Sequence, residues 1–372
     1  MIFSPPGPEQ WIDQGIALNM LPEEGFIQNF TCTAESTDGI NWTLWYSSHA
    51  EGKMNIAVAE GVPGHGMKRF PAALFPGKAS DARLSIGNLP EGWYPVQPVY
   101  LKLPDGRHRI YFWAHSWDQG VVRYLCADSR DGRRFEVLDP CRPCLYHYND
   151  RAVPAALFGP AGLTFGKRAM PRPAGEPEAN PELLSNDATN VYMLPDGTFE
   201  MFTVHISHVE KDDPRYIAHD NAAGWIRVIY RRTSNDGITW SAGEQVIAPD
   251  ADDPSCLQFY YLAVAHLPEG RVGLLGHYNV QAQTMDIEWC FSADGIHWER
   301  PARVPWLPRN PEQSGVHGIY APHAPVKINS KWHLFYTACN FTHNHSLVSG
   351  KEKIADIRLA EINALIISPK KN

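Results

Sequence analysis

Histidine recurs at one kind of place in this chain. His49, His115, His205 and His277 each end an apolar run that follows a turn signal. Imidazoles that meet at one point can hold a divalent cation, or can exchange hydrogen bonds with hydroxyl and carboxylate groups. His323, in Tyr320-Ala-Pro-His323, is the candidate cation ligand, although nothing in the sequence requires a cofactor. Among the carboxylates, Asp187 in Ser185-Asn-Asp-Ala-Thr-Asn190 opens an apolar run among amides, with no basic partner beside it. That setting makes it the best-placed carboxylate for acid–base work. Proton transfer needs a second group within reach, and the candidates are His205, Asp150 in Tyr148-Asn-Asp-Arg151, and Asp220 in His219-Asp-Asn221.

The elements that must position these groups are strands. A tight turn followed by an apolar run returns at Ser36-Thr-Asp-Gly39, Pro104-Asp-Gly106, Pro195-Asp-Gly197, Pro268-Glu-Gly270 and Asn329-Ser-Lys331. A second signal, Ser-x-Asp-Gly followed by an aromatic residue, stands at 129–135, 234–240 and 292–298. Asp-Gly supplies the positive φ that a tight turn between strands needs, and the aspartate binds its own backbone. Asp131, Asp236 and Asp294 are therefore structural. A repeat that cannot bury its own face must stack on its neighbours. The expected fold is all-β, a five-bladed β-propeller forming a single domain over 1–372, with blades at about 25–70, 93–138, 185–247, 256–304 and 316–367. The stretch before Pro22 runs outside the ring or closes it, and 354–362 reads as a closing strand or a helix. The segment at about 141–184 is an inserted loop, expected to act as a lid or a subunit contact.

In a propeller, ligands sit where the inner strands begin and the second strands end. That rule nominates Tyr94, Gln97, Asn190, Gln258, Tyr260, His317 and Tyr320 from inner-strand starts, with His115 and His277 from second-strand ends. Trp93, Tyr94, Trp117 and Tyr320 are the candidate stacking faces.

The formal charge of −8, without a basic run, excludes a nucleic-acid partner as the working assumption. No apolar stretch approaches the roughly 20 residues of a membrane span, and the start at Met1 lacks a leader pattern, so a cytoplasmic location is expected. Seven scattered cysteines fit reduced thiols, and Cys141-Arg-Pro-Cys144 lacks the second pair of a zinc ribbon. Nothing in the sequence sets the oligomeric state.

Two phrases carry a family likeness. Tyr320-Ala-Pro-His323 and the run to Tyr336 resembles the last blade of the five-bladed β-propeller glycoside hydrolases, the group of arabinanases, β-xylosidases and fructosidases. Asn186-Asp-Ala-Thr-Asn190 and the run to Gly197 resembles their third blade. The Ser-x-Asp-Gly turn is similar to the sialidase Asp box, one residue shorter. The resemblance implies a glycosidase acting on an oligosaccharide, with Asp187 as the acid or its tuner and His323 on the axis near a cation or water. The chain departs from the family where a first-blade aspartate is expected, since Phe26-Ile-Gln-Asn-Phe30 has amides there, and Gln258 stands nearest the general-acid glutamate. Two other readings stay open: a histidine- and metal-dependent polysaccharide lyase, and a sugar-binding propeller without catalysis.

Overall fold

The computed structural model describes residues 11–24, 32–50, 52–75, 83–152, 184–185, 188–216, 224–307, 309, 315–321, 323–343 and 353–363. Among these residues, apart from one 3-10 turn at Pro22–Glu24, the regular elements are all strands. No helix among the described residues is long and apolar enough to cross a membrane.

Five antiparallel meanders follow one another. The first pairs Cys32–Glu35, Trp42–Ala50, Lys53–Gly61 and Lys68–Pro71. Tyr94–Lys102, His108–Ser116, Val121–Ser129 and Arg134–Val137 make the second, and Asn190–Met193, Phe199–His208, Trp225–Ser234 and Glu244–Ile247 the third. The fourth is Leu257–Leu267, Gly270–Asn279, Thr284–Ser292 and Pro305–Leu307. The fifth pairs Gly318–Tyr320, Lys331–Cys339 and Ala355–Ile362, and its outer strand is Trp11–Leu18 from the other end of the chain. The early stretch is thus a strand laid against the last one, and Ala355–Ile362 is a strand rather than a helix.

Alternation along each strand gives every meander two apolar faces, and each face packs on a neighbour. Trp45, Ile56 and Val58 of the first meet Ile110, Phe112 and Ala114 of the second. On the other face of the second, Tyr111, Trp113 and Tyr124 meet Val191 and Met201 of the third. Phe202, Val204 and Ile229 then meet Phe259, Leu262 and Val264 of the fourth, and Leu274, Ile287 and Trp289 meet Leu334, Tyr336 and Ile362 of the fifth. Leu44, Tyr46 and Ala57 of the first also pack on Leu18, Phe335 and Ile357 of the fifth. Each fully buried large side chain of this kind contributes roughly 1.5–3 kcal/mol.

The Ser-x-Asp-Gly turns share one bonding pattern. In each, the serine Oγ accepts the glycine N–H, and the aspartate Oδ1 accepts the next two backbone N–H groups. Ser36-Thr-Asp38-Gly39 has the same pattern, but follows a first strand rather than a third. Gly237 has φ +69°, and a Cβ there would lie 2.5 Å from Tyr111 Oη. Its carbonyl accepts the Tyr111 hydroxyl at 2.8 Å, while Arg109 donates to the Asp236 carbonyl at 2.7 Å. The turn therefore fastens the third meander to the second, at the strand ends opposite those where the histidines stand.

Candidate functional site

Two polar clusters form where the inner strands begin. The first joins the third, fourth and fifth meanders. The inner strand Leu257–Leu267 loses register between Phe259 and Leu262, and such a bulge re-aims the side chains within it. Tyr261 turns inward, buried, and its hydroxyl accepts the Ala321 N–H at 2.8 Å. Tyr260 instead faces Arg227, whose guanidinium lies 4.5 Å from its ring centre and 5.7 Å from that of Tyr278. Gln258 Oε1 accepts from the Arg227 backbone N–H at 3.2 Å and from Nη1 at 3.4 Å. The His343 ring stands edge-on to Tyr260 at 4.5 Å and to Tyr278 at 5.0 Å, and its Nδ1 is 3.2 Å from Tyr320 Oη. Ala188, the residue after Asp187, packs among Tyr260, Tyr278 and Tyr320.

The second cluster belongs to the second meander. His115 pairs across from Tyr94, and its ring lies 5.4 Å from that of Trp117, which is half exposed. Lys53 Nζ sits 5.1 Å from the Tyr94 ring centre. His147 is buried, stacks on Tyr148 at 4.0 Å, and accepts the Asn149 N–H on Nδ1 at 2.9 Å. With Nδ1 accepting, the ring proton sits on Nε2. Burial pushes the His115 imidazole down to about 4. The same desolvation takes His147 well below its ordinary value, helped by His115 when that ring is protonated and by the charge of Arg227. Both rings are therefore neutral at pH 7.

The other nominated residues take varied places. Asp187 and Asp220 lie outside the described residues. Asp150 forms a fully buried ion pair with Arg123 at 3.0 Å and accepts the Val122 and Ala152 N–H groups. Its oxygens are thus committed to holding the second meander, not presented to a ligand. Trp93 belongs to the core between the first two meanders, with Nε1 bonded to Gln119 and the Arg123 guanidinium over its ring; it offers no exposed stacking face. Asn190 donates to the Leu262 carbonyl at 2.9 Å, bracing the third meander on the fourth. His317 donates its backbone N–H to Cys339.

The histidines have separate surroundings. His277 is bound to Glu288 at 2.9 Å, inside a buried network with Arg300 and Asp253. His205 stacks on Tyr230 at 4.2 Å. His323 donates from Nδ1 to the Ala324 carbonyl at 3.1 Å and lies 6.3 Å from Tyr192. Burial pushes His205 and His323 down to about 4. Among the described residues, no group of three or more His, Cys, Asp or Glu side chains could hold a metal ion.

Arg227, Tyr278, His147 and His343 were not nominated from the sequence. Arg227 begins a third strand, a position the inner-strand rule does not inspect. His147 falls in the segment read as an inserted loop, where its pairing with Tyr148 was the available signal.

No family model matches the chain, and no curated protein matches it by sequence. Solved structures do resemble it nearly end to end. One described as a glycoside hydrolase is 13% identical with a TM-score of 0.56, covering 99% of this chain and 95% of that one. A GH62 hydrolase in complex with xylotriose is 10% identical with a TM-score of 0.55, covering 94% and 96%. An N-acetylgalactosamine deacetylase from F. plautii, in complex with blood group B trisaccharide, is 12% identical with a TM-score of 0.54, covering 95% of each chain. At these identities the likeness is one of fold alone, an all-β arrangement shared with these structures over nearly the whole chain.

Proposed function

We propose that this chain is a five-bladed β-propeller glycosidase that cleaves an oligosaccharide at the rim built by the two clusters. Five blades are supported by the cyclic order of the shared cores, first to fifth and back to first, with Trp11–Leu18 closing the ring.

The observation that carries the functional reading is the Arg227, Tyr260, Tyr278 and His343 cluster at the inner-strand starts. It holds a cation against aromatic rings that are themselves buried, Arg227, Tyr260 and Tyr278 being 5%, 4% and 0% exposed, so its part is to fix the shape of the rim on which a ring bearing many hydroxyls would rest. Trp117 supplies an exposed apolar face in the second cluster, beside the neutral His115. Glycoside cleavage requires a proton donor at the leaving oxygen and a carboxylate across the sugar. Asp187 is assigned as the acid or its tuner, with Asp220 or His205 as its partner. Asp150 is set aside because Arg123 and two backbone N–H groups occupy it.

The test is incubation with a panel of linear and branched pentose and hexose oligosaccharides, followed by product analysis. New reducing ends from at least one glycan support the assignment. A protein that binds a glycan without shortening it is a sugar-binding propeller, and unsaturated products would make it a lyase.

A further inference from the structure

Gln97 breaks two local rules at once. It sits in the inner strand Tyr94–Lys102, where pairing slips between Val96 and Val99, and its φ is +60°. That region strains any residue with a Cβ, and the following Pro98 narrows the choice further. Glycine would occupy it without strain, as the chain does at Gly106 and Gly197. The side chain is 6% exposed, and its Oε1 accepts no hydrogen bond. A buried acceptor without a donor is destabilising, so both features count against this residue as a purely structural choice.

The surrounding sheet holds the conformation in place. Ser47 Oγ accepts the Gln97 N–H at 2.8 Å. Thr33 Oγ1 donates to the Pro98 carbonyl at 3.4 Å and accepts the Tyr100 N–H at 3.2 Å. Two hydroxyls of the first meander thus fix a bulge in the second. The fourth meander has a bulge at the corresponding stage of its inner strand, and that one aims Tyr260 at Arg227. Strain that the surroundings enforce, joined to an unsatisfied polar atom, is the pattern of a residue kept for function.

We infer that Gln97 reads the ligand, its Oε1 accepting a hydrogen bond from a hydroxyl of a neutral sugar ring. This rests on the rim being an oligosaccharide site. The amide oxygen accepts and cannot donate, so that atom selects a hydroxyl donor, while Nε2 of the same side chain keeps its own donors for a neighbouring acceptor.

Two substitutions separate reading from scaffolding. Gln97→Gly removes the strain and the amide together, and Gln97→Leu removes the amide while keeping the strain. The Gly variant is expected to melt about 2 °C higher than wild type without ligand, the scale of relieving such strain in a chain of this size. On whichever oligosaccharide of the panel the wild type turns over, KM should rise about tenfold in both variants, the worth of one hydrogen bond in a dry site. A lower melting temperature for Gln97→Gly would overturn the inference by making Gln97 structural. Unchanged KM in both variants would overturn it while leaving the glycosidase reading intact. A wild type that neither binds nor cleaves any glycan of the panel would remove that reading and this inference with it.

Discussion

The guanidinium of Arg227 lies 4.5 Å from the ring centre of Tyr260, while Gln258, two residues before that tyrosine, accepts hydrogen bonds from Arg227. One arginine of the third meander is thereby held by two side chains of the fourth, so the rim keeps its shape across a boundary between sheets. Pairing slips between Phe259 and Leu262, and within that bulge Tyr260 faces Arg227 while Tyr261 accepts the Ala321 N–H.

Removing either partner should weaken sugar turnover. Arg227→Met and Tyr260→Ala are each expected to lower kcat/KM about five- to thirtyfold, since a partly desolvated cation–π contact is worth about 1–2 kcal/mol. Steady-state kinetics on the cleaved glycan check this.

Asp187 and Asp236 should separate catalysis from folding. Asp187→Asn is expected to reduce turnover at least about a hundredfold with little change in melting temperature. Asp236→Ala should instead cost about 1 kcal/mol, because Asp236 Oδ1 holds the Ile238 and Thr239 N–H groups of its turn. Thermal melting and turnover measured on both variants decide the matter.

The Asp150–Arg123 pair predicts a third kind of outcome. Both side chains are fully buried, so Asp150→Ala leaves an arginine without its carboxylate inside the second meander. Breaking such a pair typically costs about 3–5 kcal/mol. Denaturant unfolding should show that loss. An Asp150→Ala protein of wild-type stability with reduced turnover would return Asp150 to the chemistry.

Much of the fold was legible because turn chemistry is local. Asp38, Asp131, Asp236 and Asp294 each bind their own backbone within three residues, so Ser-x-Asp-Gly announces itself without knowledge of any partner. The rim was less legible because long-range packing decides it. Trp93 and Trp117 look alike in sequence, yet one sits in the core against Arg123 and the other stands half exposed. His277 matched His115 in register, but a buried glutamate of the next strand captured it. Arg227 gave no local sign at all, since its role depends on a bulge thirty-odd residues later in the chain.

The neutral histidines set a pH dependence. His115 has its folded value pushed down to about 4, against an ordinary value of 6.5, so protonation favours the unfolded chain. Its stabilisation is complete above about pH 6.5 and is lost as pH falls toward 4. The slope approaches about 1.4 kcal/mol per pH unit for that one imidazole, and His147, His205 and His323 shift in the same direction. Denaturant midpoints at pH 7, 6 and 5 should fall progressively, and His115→Gln should flatten the trend.

The most direct measurement is product analysis by mass spectrometry after incubating purified protein with the oligosaccharide panel, beside Arg227→Met and Asp187→Asn. The account predicts that the wild type shortens at least one glycan with uptake of one water per cleavage, and that both variants lose most of that activity. A wild type that shortens no glycan, or cleavage that survives both substitutions unchanged, would contradict a glycosidase site at this rim.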